Sequence, residues 1–380
     1  MPGTSWTTTA APDVVPGITG VNHYRVNSRG IRGRPFGADS AEYRVLAVGG
    51  STTECANLDD SEAWSGLLET SLSRTADGRA VWAGNIGRSG LTTRDNALHL
   101  KFLLRQYPRM DAVVALVGAN DLQAALQEEH YRQPGPITDP VEQQARLLRS
   151  FSYVAGRTEQ RAAAAPRSVP WYKVTELWQL GRRVRQGSNA VRHYDLSVLG
   201  PRGLFGWRAL RQGARRRIDT LPPLEAPLAE FRNNLNAMVD KAAASHTRLV
   251  FVTQPTMWGD HLPDSVSRTL WFGWVGPDRL GPKAYYTAAA LARGMEAFNA
   301  ELLTVCRDRG VECVDAAGTL SHDATAFYDD MHFTERGSAL LAEQLAGHFR
   351  REPPFGPAGG QLQPRPEFPT MKRSRPRPSP

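Results

Sequence analysis

Residues 44–53 have the sequence RVLAVGGSTT, in which an apolar run leads into two glycines and a serine. The run from Val45 to Val48 predicts a short buried strand. The glycines lack a Cβ and let the chain turn sharply, which leaves Ser51 at the carboxyl end of the strand, where open α/β sheets bind their ligands. Ser51 is therefore a candidate nucleophile if the chain also supplies a base and donors for an oxyanion.

The composition predicts a globular chain without a zinc site. With 380 residues, 41% of them hydrophobic and 22% charged, the chain can bury a large core, and we expect one main domain that carries an insertion. Three cysteines, Cys55, Cys306 and Cys313, are too few and too scattered for a disulfide framework, and no Cys or His spacing resembles a zinc site. We expect three free thiols.

The sequence also bears on location. It contains no run of about 18 apolar residues that could span a bilayer, and it does not begin with a charged segment followed by an apolar one. We therefore expect a soluble, cytoplasmic protein by default. A chain that had lost its leader would have the same sequence, so export stays open.

Strands and helices alternate after the first strand. Residues 81–86 predict a second strand that ends in a glycine-containing loop, residues 85–93, and a helix over 94–106 follows. Residues 110–117, apolar almost throughout, predict a central strand that ends in Gly118-Ala119-Asn120-Asp121. Apolar residues at helical spacing from Trp64 to Leu72 predict another helix, between the first two strands. Three strands and two helices within about 75 residues imply right-handed crossovers and a parallel sheet.

The alternation resumes after a long irregular segment. Residues 224–245 predict a helix, 248–253 a strand, 282–309 a long helix and 311–315 another strand. Four aromatic residues follow the strand over 248–253, in a loop that could line an acyl or sugar pocket or could pack in the core or a lid. They are Trp258, Trp271, Phe272 and Trp274.

These elements divide the chain into four parts. We predict an extended arm, a main domain in two segments, an arginine-rich insertion or lid that is partly helical, and a disordered Pro-rich tail. The arm is 1–40, the main domain 41–125 and 225–352, the insertion 126–224 and the tail 353–380.

The insertion carries most of the positive charge. Residues 182–217 hold ten arginines against one acid, Asp195, which exceeds the net charge of +8 of the whole chain, and a helix is predicted over 171–185. Arginines in this number could bind a phosphate-bearing partner such as a nucleic acid. We favour a solvated face, because no recognised binding motif accompanies the charge, and we expect no nucleic-acid partner.

A base for Ser51 is available near the end of the chain. Asp329-x-x-His332 pairs a histidine with a carboxylate that could hold it in one tautomer. Asp330 is a second possible partner. We favour Asp329 because residues three apart in a turn can face the same side, so that Asp330 would point elsewhere.

Four short blocks occur in order along the chain. They are Gly-Gly-Ser-Thr at 49–52, Asn-x-Gly-x-Ser-Gly-x-Thr at 85–92, Gly-x-Asn-Asp at 118–121 and Asp-x-x-His at 329–332. Together they resemble the signature blocks of the SGNH/GDSL hydrolase superfamily. The resemblance covers about 44–125 and 225–350, and the arm sequence Tyr-x-Val-Asn-Ser-x-Gly-x-Arg-Gly at 24–33 looks like one that precedes the first block in some bacterial members.

The resemblance implies a flavodoxin-like three-layer α/β/α fold, with a central parallel sheet of about five strands, and ester hydrolysis as the activity. It makes Ser51 the nucleophile, His332 the general base and then acid, and Asp329 the residue that orients it. The backbone amides of Ser51 and Gly90 and the side chain of Asn120 would hold the oxyanion, in agreement with donors placed at strand ends. It implies no metal and no organic cofactor.

Two departures from the family pattern concern the substrate and the serine loop. Gly50 stands where the name motif of the superfamily has Asp, which removes any support that this acid gives the serine loop. The insertion has no counterpart in minimal members, so the substrate stays open.

Three functions are compatible with these residues. The first is an esterase acting on an O-acylated small molecule, glycan or lipid. The second is an acyltransferase that uses the same serine and excludes water. The third is a noncatalytic protein whose arginines bind an anionic partner, although such a protein has no use for a complete set of catalytic residues. The acyl chain, the alcohol and the oligomeric state cannot be predicted from the sequence.

Overall fold

The computed structural model describes residues 3–36, 41–107, 109–127, 131, 134, 137–147, 201–276 and 284–356. The predicted helix over 171–185 and the predicted tail beyond 356 lie outside them. The strands are β1 (Ser5–Thr9), β2 (Val21–Arg25), β3 (Tyr43–Gly49), β4 (Val81–Asn85), β5 (Ala112–Leu116), β6 (Arg216–Ile218), β7 (Arg248–Val252), β8 (Ala284–Tyr286) and β9 (Glu312–Val314). The helices are α1 (Ser51–Glu54), α2 (Trp64–Leu72), α3 (Thr93–Gln106), α4 (Ala119–Gln127), α5 (Pro140–Leu147), α6 (Pro201–Gln212), α7 (Glu225–Ala244), α8 (Asp264–Ser267), α9 (Ala288–Arg309) and α10 (Glu335–Phe349).

The centre of the molecule is a parallel sheet of five strands in the order β4-β3-β5-β7-β9. Its strands are short apolar runs, and every residue of β3, β4 and β5 is buried. Val45 of β3 pairs with Ala83 on one side and with Ala112 on the other. The chain thus forms the 2-1-3-4-5 order of flavodoxin-like folds, and the predicted α/β fold is confirmed.

Helices cover both faces of this sheet. The chain moves from β3 to β4 in one direction and from β4 to β5 in the other, so right-handed crossovers place α2 and α3 on opposite faces. α10 packs against α2, while α7 packs against α3 and α9. The molecule therefore has the predicted three-layer α/β/α arrangement. The carboxyl ends of β3, β4 and β5 lie at the same edge of the sheet.

The N-terminal arm packs on the domain. β1 and β2 form an antiparallel hairpin, and the chain then runs along the outer strand β4. There the Arg32 amide donates to the Asn85 carbonyl and the Asn85 amide donates to the Arg32 carbonyl, each at 2.9 Å. In the connection between β1 and β2, the Thr19 amide donates to Glu335 Oε1 at 2.6 Å. The arm therefore bridges β4 and α10.

The prediction of three free thiols is wrong for two of them. Cys306 and Cys313 form a disulfide with a Cα–Cα distance of 6.2 Å, whereas Cys55 is free and buried. Cys306 lies in the last turn of α9 and Cys313 in β9, and Gly310 between them adopts a left-handed conformation with φ 63°. That turn folds the chain back and brings together two cysteines that lie seven residues apart.

The long helix predicted from residue 282 begins later, at Ala288. The Thr287 side chain accepts a hydrogen bond from the Ala290 amide at 3.1 Å and so fixes the start of α9. Residues Ala284–Tyr286 instead form β8, which pairs in parallel with β6. The sequence of residues 284–286 could also form the first turn of a helix. These residues form a strand because they pair with β6, which is distant in sequence.

The first residues of the predicted disordered tail are ordered. The Pro354 carbonyl accepts a hydrogen bond from the Ala76 amide at 2.7 Å, and the Phe355 ring packs edge-on against Tyr43 at 5.0 Å and Phe349 at 5.8 Å. The domain thus continues to residue 356. Across the described ranges, none of the helices combines the length and the apolar character needed to cross a membrane.

Candidate active site

Ser51 lies where β3 ends and a short helix begins. A Cβ at Gly49 would come within 2.2 Å of the Leu116 carbonyl oxygen, so the tight exit from β3 requires glycine. Ser51 is then the first residue of α1, which ends at Glu54, and Cys55 in a left-handed conformation (φ 50°) closes the helix. The predicted turn after the first strand therefore places Ser51 at the carboxyl edge of the sheet.

A continuous chain of hydrogen bonds joins Ser51 to His332 and Asp329. His332 Nε2 lies 2.8 Å from Ser51 Oγ, and His332 Nδ1 lies 2.8 Å from Asp329 Oδ2 and 2.9 Å from Asp329 Oδ1. For Nε2 to accept the serine proton, Nδ1 must carry the ring proton and donate it to the carboxylate. This geometry matches a nucleophile, base and orienting acid.

The surroundings adjust the two titratable groups in opposite directions. Burial lowers the pKa of His332, but the charge and hydrogen bonds of Asp329 outweigh it, so that the pKa lies above the ordinary 6.5. Burial raises the pKa of Asp329, but the charge of His332 and hydrogen bonds from His332 and Trp271 bring it below the ordinary 3.8. Asp329 is therefore ionised at neutral pH beside a more basic imidazole.

Asp330 points away from the imidazole, as the spacing argument predicts. Its Oδ1 accepts a hydrogen bond from the Trp258 indole at 2.7 Å, and its Oδ2 accepts from the backbone amides of Trp271 at 2.7 Å and Phe272 at 3.2 Å. The Trp271 indole in turn donates to Asp329 Oδ2 at 2.9 Å. Asp330 thus fixes the loop that delivers a further donor to Asp329.

The three predicted oxyanion donors, Ser51, Gly90 and Asn120, line one cleft together with His332. Asn120 lies in the first turn of α4, where its Nδ2 donates to the Leu91 carbonyl at 2.9 Å, and Gly90 has φ 79° in the loop after β4. Within the described residues, the amides of Ser51 and Gly90 donate to no other residue. The structure therefore brings together all the residues predicted for the site.

The rest of the cleft is lined by both polar and apolar side chains. Its further polar groups are those of Asn57, Ser89 and Tyr328. Its apolar side chains come from α6, from the loop after β7 and from the turn before His332, and they are Leu204, Trp207, Trp271, Phe272 and Met331. Of the four aromatic residues that the sequence offered for a pocket, Trp271 and Phe272 line this cleft, while Trp258 and Trp274 are buried in the core.

The prediction of a solvated arginine face is wrong for part of α6. Arg208 and Arg211 are buried, and both guanidinium groups donate to backbone carbonyls. Arg208 bonds the carbonyls of Val14 at 2.7 Å and Tyr328 at 3.0 Å, and Arg211 bonds that of Tyr286 at 2.9 Å. The two arginines therefore hold α6 against the domain, beside the cleft.

Sequence reasoning missed two polar residues beside the site. Glu54 is 1% exposed and lies three positions after Ser51, a spacing that places it next to the serine on α1 and could have indicated its importance. The sequence allows Trp271 to line a pocket or to pack in the core or a lid, and nothing in it shows that the indole donates to Asp329. No group of three or more His, Cys, Asp or Glu side chains could hold a metal ion in the described parts of the chain.

Comparison with solved structures finds distant similarities. The chain is similar to Est24, a carbohydrate acetylesterase from Sinorhizobium meliloti, at 13% identity over 81% of this chain and 98% of that one, with a TM-score of 0.39. It is similar to an aryl esterase from M. smegmatis at 14% identity, again over 81% and 98%, with a TM-score of 0.39. No curated protein matches the chain.

A family model gives a more specific match. Residues 47–340 match the GDSL-like Lipase/Acylhydrolase family, a range that begins just before Ser51 and extends past His332. Because this match covers most of the chain, the protein belongs to the GDSL-like lipase/acylhydrolase family and is an ester hydrolase.

Proposed function

We propose that this protein is a serine esterase that cleaves an O-acyl ester through an acyl-enzyme on Ser51. The observation that supports the proposal is the hydrogen-bonded chain from Ser51 Oγ through His332 to Asp329, with both links at 2.8 Å. A serine hydroxyl becomes a nucleophile when an adjacent base takes its proton, and a base does this best when a third group holds its tautomer.

The proposed reaction has two halves. In the first, His332 takes the Ser51 proton as Oγ attacks the ester carbonyl carbon, and the oxyanion accepts hydrogen bonds from the amides of Ser51 and Gly90 and from Asn120. The tetrahedral intermediate then expels the alcohol, which takes the proton from His332. In the second half, His332 activates water, which attacks the acyl group and frees Ser51.

The cleft favours a substrate with an apolar or aromatic group beside the reacting carbonyl. Trp207, Trp271 and Leu204 offer apolar surface, and Asn57 and Ser89 in the same cleft can hydrogen-bond an oxygen-bearing group. Because aromatic walls with a few placed polar groups are typical of small-molecule sites, we propose a small or medium-sized ester in which an apolar group accompanies a polar one.

The test is hydrolysis of aryl esters with short and long acyl chains by the purified wild-type protein and by Ser51→Ala. We expect the variant to lose turnover by about 10³-fold or more, because the remaining oxyanion donors cannot replace covalent catalysis. Mass spectrometry after rapid quenching should show the acyl group on Ser51. Unchanged turnover in a pure, folded Ser51→Ala variant would exclude the proposal.

A second arm of the same experiment adds acceptor alcohols. If the protein is an esterase, the amount of free acid formed should equal the amount of aryl alcohol released. Formation of a new ester at the expense of free acid, at alcohol concentrations far below that of water, would instead identify an acyltransferase that uses the same serine.

A further inference from the structure

The serine helix carries a buried acid that the reaction described above does not use. Glu54 ends α1, and its carboxylate bonds the loop that contains Gly90. Glu54 Oε2 accepts from the Ser89 amide at 2.6 Å and from the Ser89 hydroxyl at 2.5 Å, while Oε1 accepts from Arg88 Nη1 at 2.5 Å. Hydrogen bonds to an ionised acceptor are the strong ones. The Glu54 side chain thus binds both Arg88 and Ser89, the two residues immediately before Gly90.

The same loop also approaches the serine helix through its backbone. A Cβ at Gly87 would lie 2.6 Å from the Glu54 amide nitrogen, so that only glycine permits this contact. Gly90 has φ 79°, a left-handed conformation that glycine adopts at low cost. The loop therefore lies directly against α1. Its position depends on the Glu54 side chain and on the backbone of two glycines, Gly87 and Gly90.

The carboxyl end of α1 is held by the N-terminal arm. The buried Arg32 guanidinium donates to the backbone carbonyls of Glu54, of Cys55 at 3.0 Å and of Leu58 at 2.7 Å, and it forms an ion pair with Asp60 at 2.8 Å. A cation near the last carbonyls of a helix stabilises it. With its backbone held in this way, Glu54 can act as a rigid link between the nucleophile and the loop.

We infer that Glu54 is a positioning residue, which fixes the Gly90 amide at the oxyanion position relative to Ser51. This inference rests on the proposed function. Glu54 touches no reacting atom in this role. It acts through Ser89 and Arg88, and it sets the distance and direction of an amide that a flexible glycine loop would otherwise leave variable. Preorganised donors stabilise developing charge because they need no reorganisation during the reaction.

The test compares an ester with the matching thionoester, in which sulfur replaces the carbonyl oxygen. Sulfur accepts hydrogen bonds weakly, so the thionoester gains little from the oxyanion donors. For Glu54→Gln we expect kcat on the oxygen ester to fall by about 10- to 100-fold, less than for outright removal of a donor, while KM stays within a few-fold. Turnover of the thionoester should change little, so the preference for oxygen over sulfur should collapse.

Glu69→Gln is a matched control. Glu69 also binds an arginine and a backbone amide, with Arg34 Nε at 2.6 Å and the Ala83 amide at 2.7 Å, but it lies outside the cleft. This variant should retain the oxygen preference. Rates are compared on the alkaline plateau, where His332 is neutral in every variant, because the charge of Glu54 also contributes to raising the pKa of His332.

Ser89→Ala is a second variant in case Glu54→Gln does not fold. It removes the hydroxyl bond and leaves the carboxylate with its other partners, so the oxygen preference should fall less but in the same direction. Equal losses on both esters, or an unchanged ratio in folded variants, would overturn the role of Glu54. A wild-type protein that cleaves no ester at all would overturn the proposed function itself, which is a different result.

Discussion

The protonation of His332 determines whether Ser51 can be activated, because only the neutral imidazole accepts a proton. Burial lowers the pKa of His332 and Asp329 raises it, with a net value above 6.5. The acidic limb of kcat/KM should therefore lie above pH 6.5, with activity rising as the imidazole loses its proton. Asp329→Asn removes the negative charge, so the limb should move to lower pH.

The plateau activity of Asp329→Asn should fall by on the order of 10³- to 10⁴-fold, because an amide favours the wrong tautomer of the imidazole. The measurement is a pH profile of ester hydrolysis. Asp330→Asn is the control, since its carboxylate bonds the Trp271 loop and not His332. It should destabilise the fold but keep turnover within a few-fold. The reverse ranking would assign the orienting role to Asp330.

Gly50, the departure from the family motif, lies against the carboxamide of Asn120. A Cβ at residue 50 would lie 2.4 Å from Asn120 Nδ2, so any side chain here would push the carboxamide away. Because that amide ends a side chain that can rotate, the fold should survive. Gly50→Ala should therefore lower kcat. The largest loss expected is the about 10²- to 10³-fold that follows removal of one oxyanion donor.

Thermal unfolding and ester kinetics of the same sample test this expectation for Gly50→Ala. Asn120→Ala combined with Gly50→Ala provides the control, since the second change should cost little once the carboxamide is absent. Full activity in Gly50→Ala would show that Asn120 adjusts without loss, and fully additive losses in the double variant would show that the two residues act separately.

At the scale of elements, α6 forms a wall of the cleft. Its Trp207 ring packs on Trp271 with a centroid distance of 4.7 Å and lines the cleft, whereas the neighbouring Phe205 is 47% exposed. Trp207→Ala should raise KM for aryl esters several-fold or more, since it removes apolar contact with the substrate. Phe205→Ala should leave KM unchanged. Equal effects of the two variants would exclude α6 as a substrate wall.

The elements differ in how far the sequence could predict them. β3 and β5 are predictable because parallel strands buried on both faces are continuous apolar runs. The position of α6 is not, because its Arg208 donates to the carbonyls of residues 14, 269 and 328, which only the folded chain brings near. The same holds for Glu54, whose partners on the loop after β4 lie 34 and 35 positions away.

For the molecule as a whole, only part of the positive charge is exposed in the section of the arginine segment whose side chains the structure describes. Arg208 and Arg211 are buried, and Arg215, Arg216 and Arg217 are exposed. We therefore expect no tight binding to DNA or RNA at physiological salt. Retention on a nucleic-acid column that is strong, falls steeply with salt and is lost in Arg215→Glu/Arg216→Glu would contradict this expectation.

The hydrogen bond between Ser51 and His332 joins residues that lie 281 positions apart. During synthesis, the ribosome therefore releases the nucleophile, Gly90 and Asn120 long before the base exists. A nascent chain with most of its sheet in place is still inert toward esters, because it lacks the base. When the complete chain refolds, a contact across so many residues forms late. Ester hydrolysis consequently begins only with the last tenth or so of the domain, and the appearance of activity in a refolding experiment reports completion of the fold.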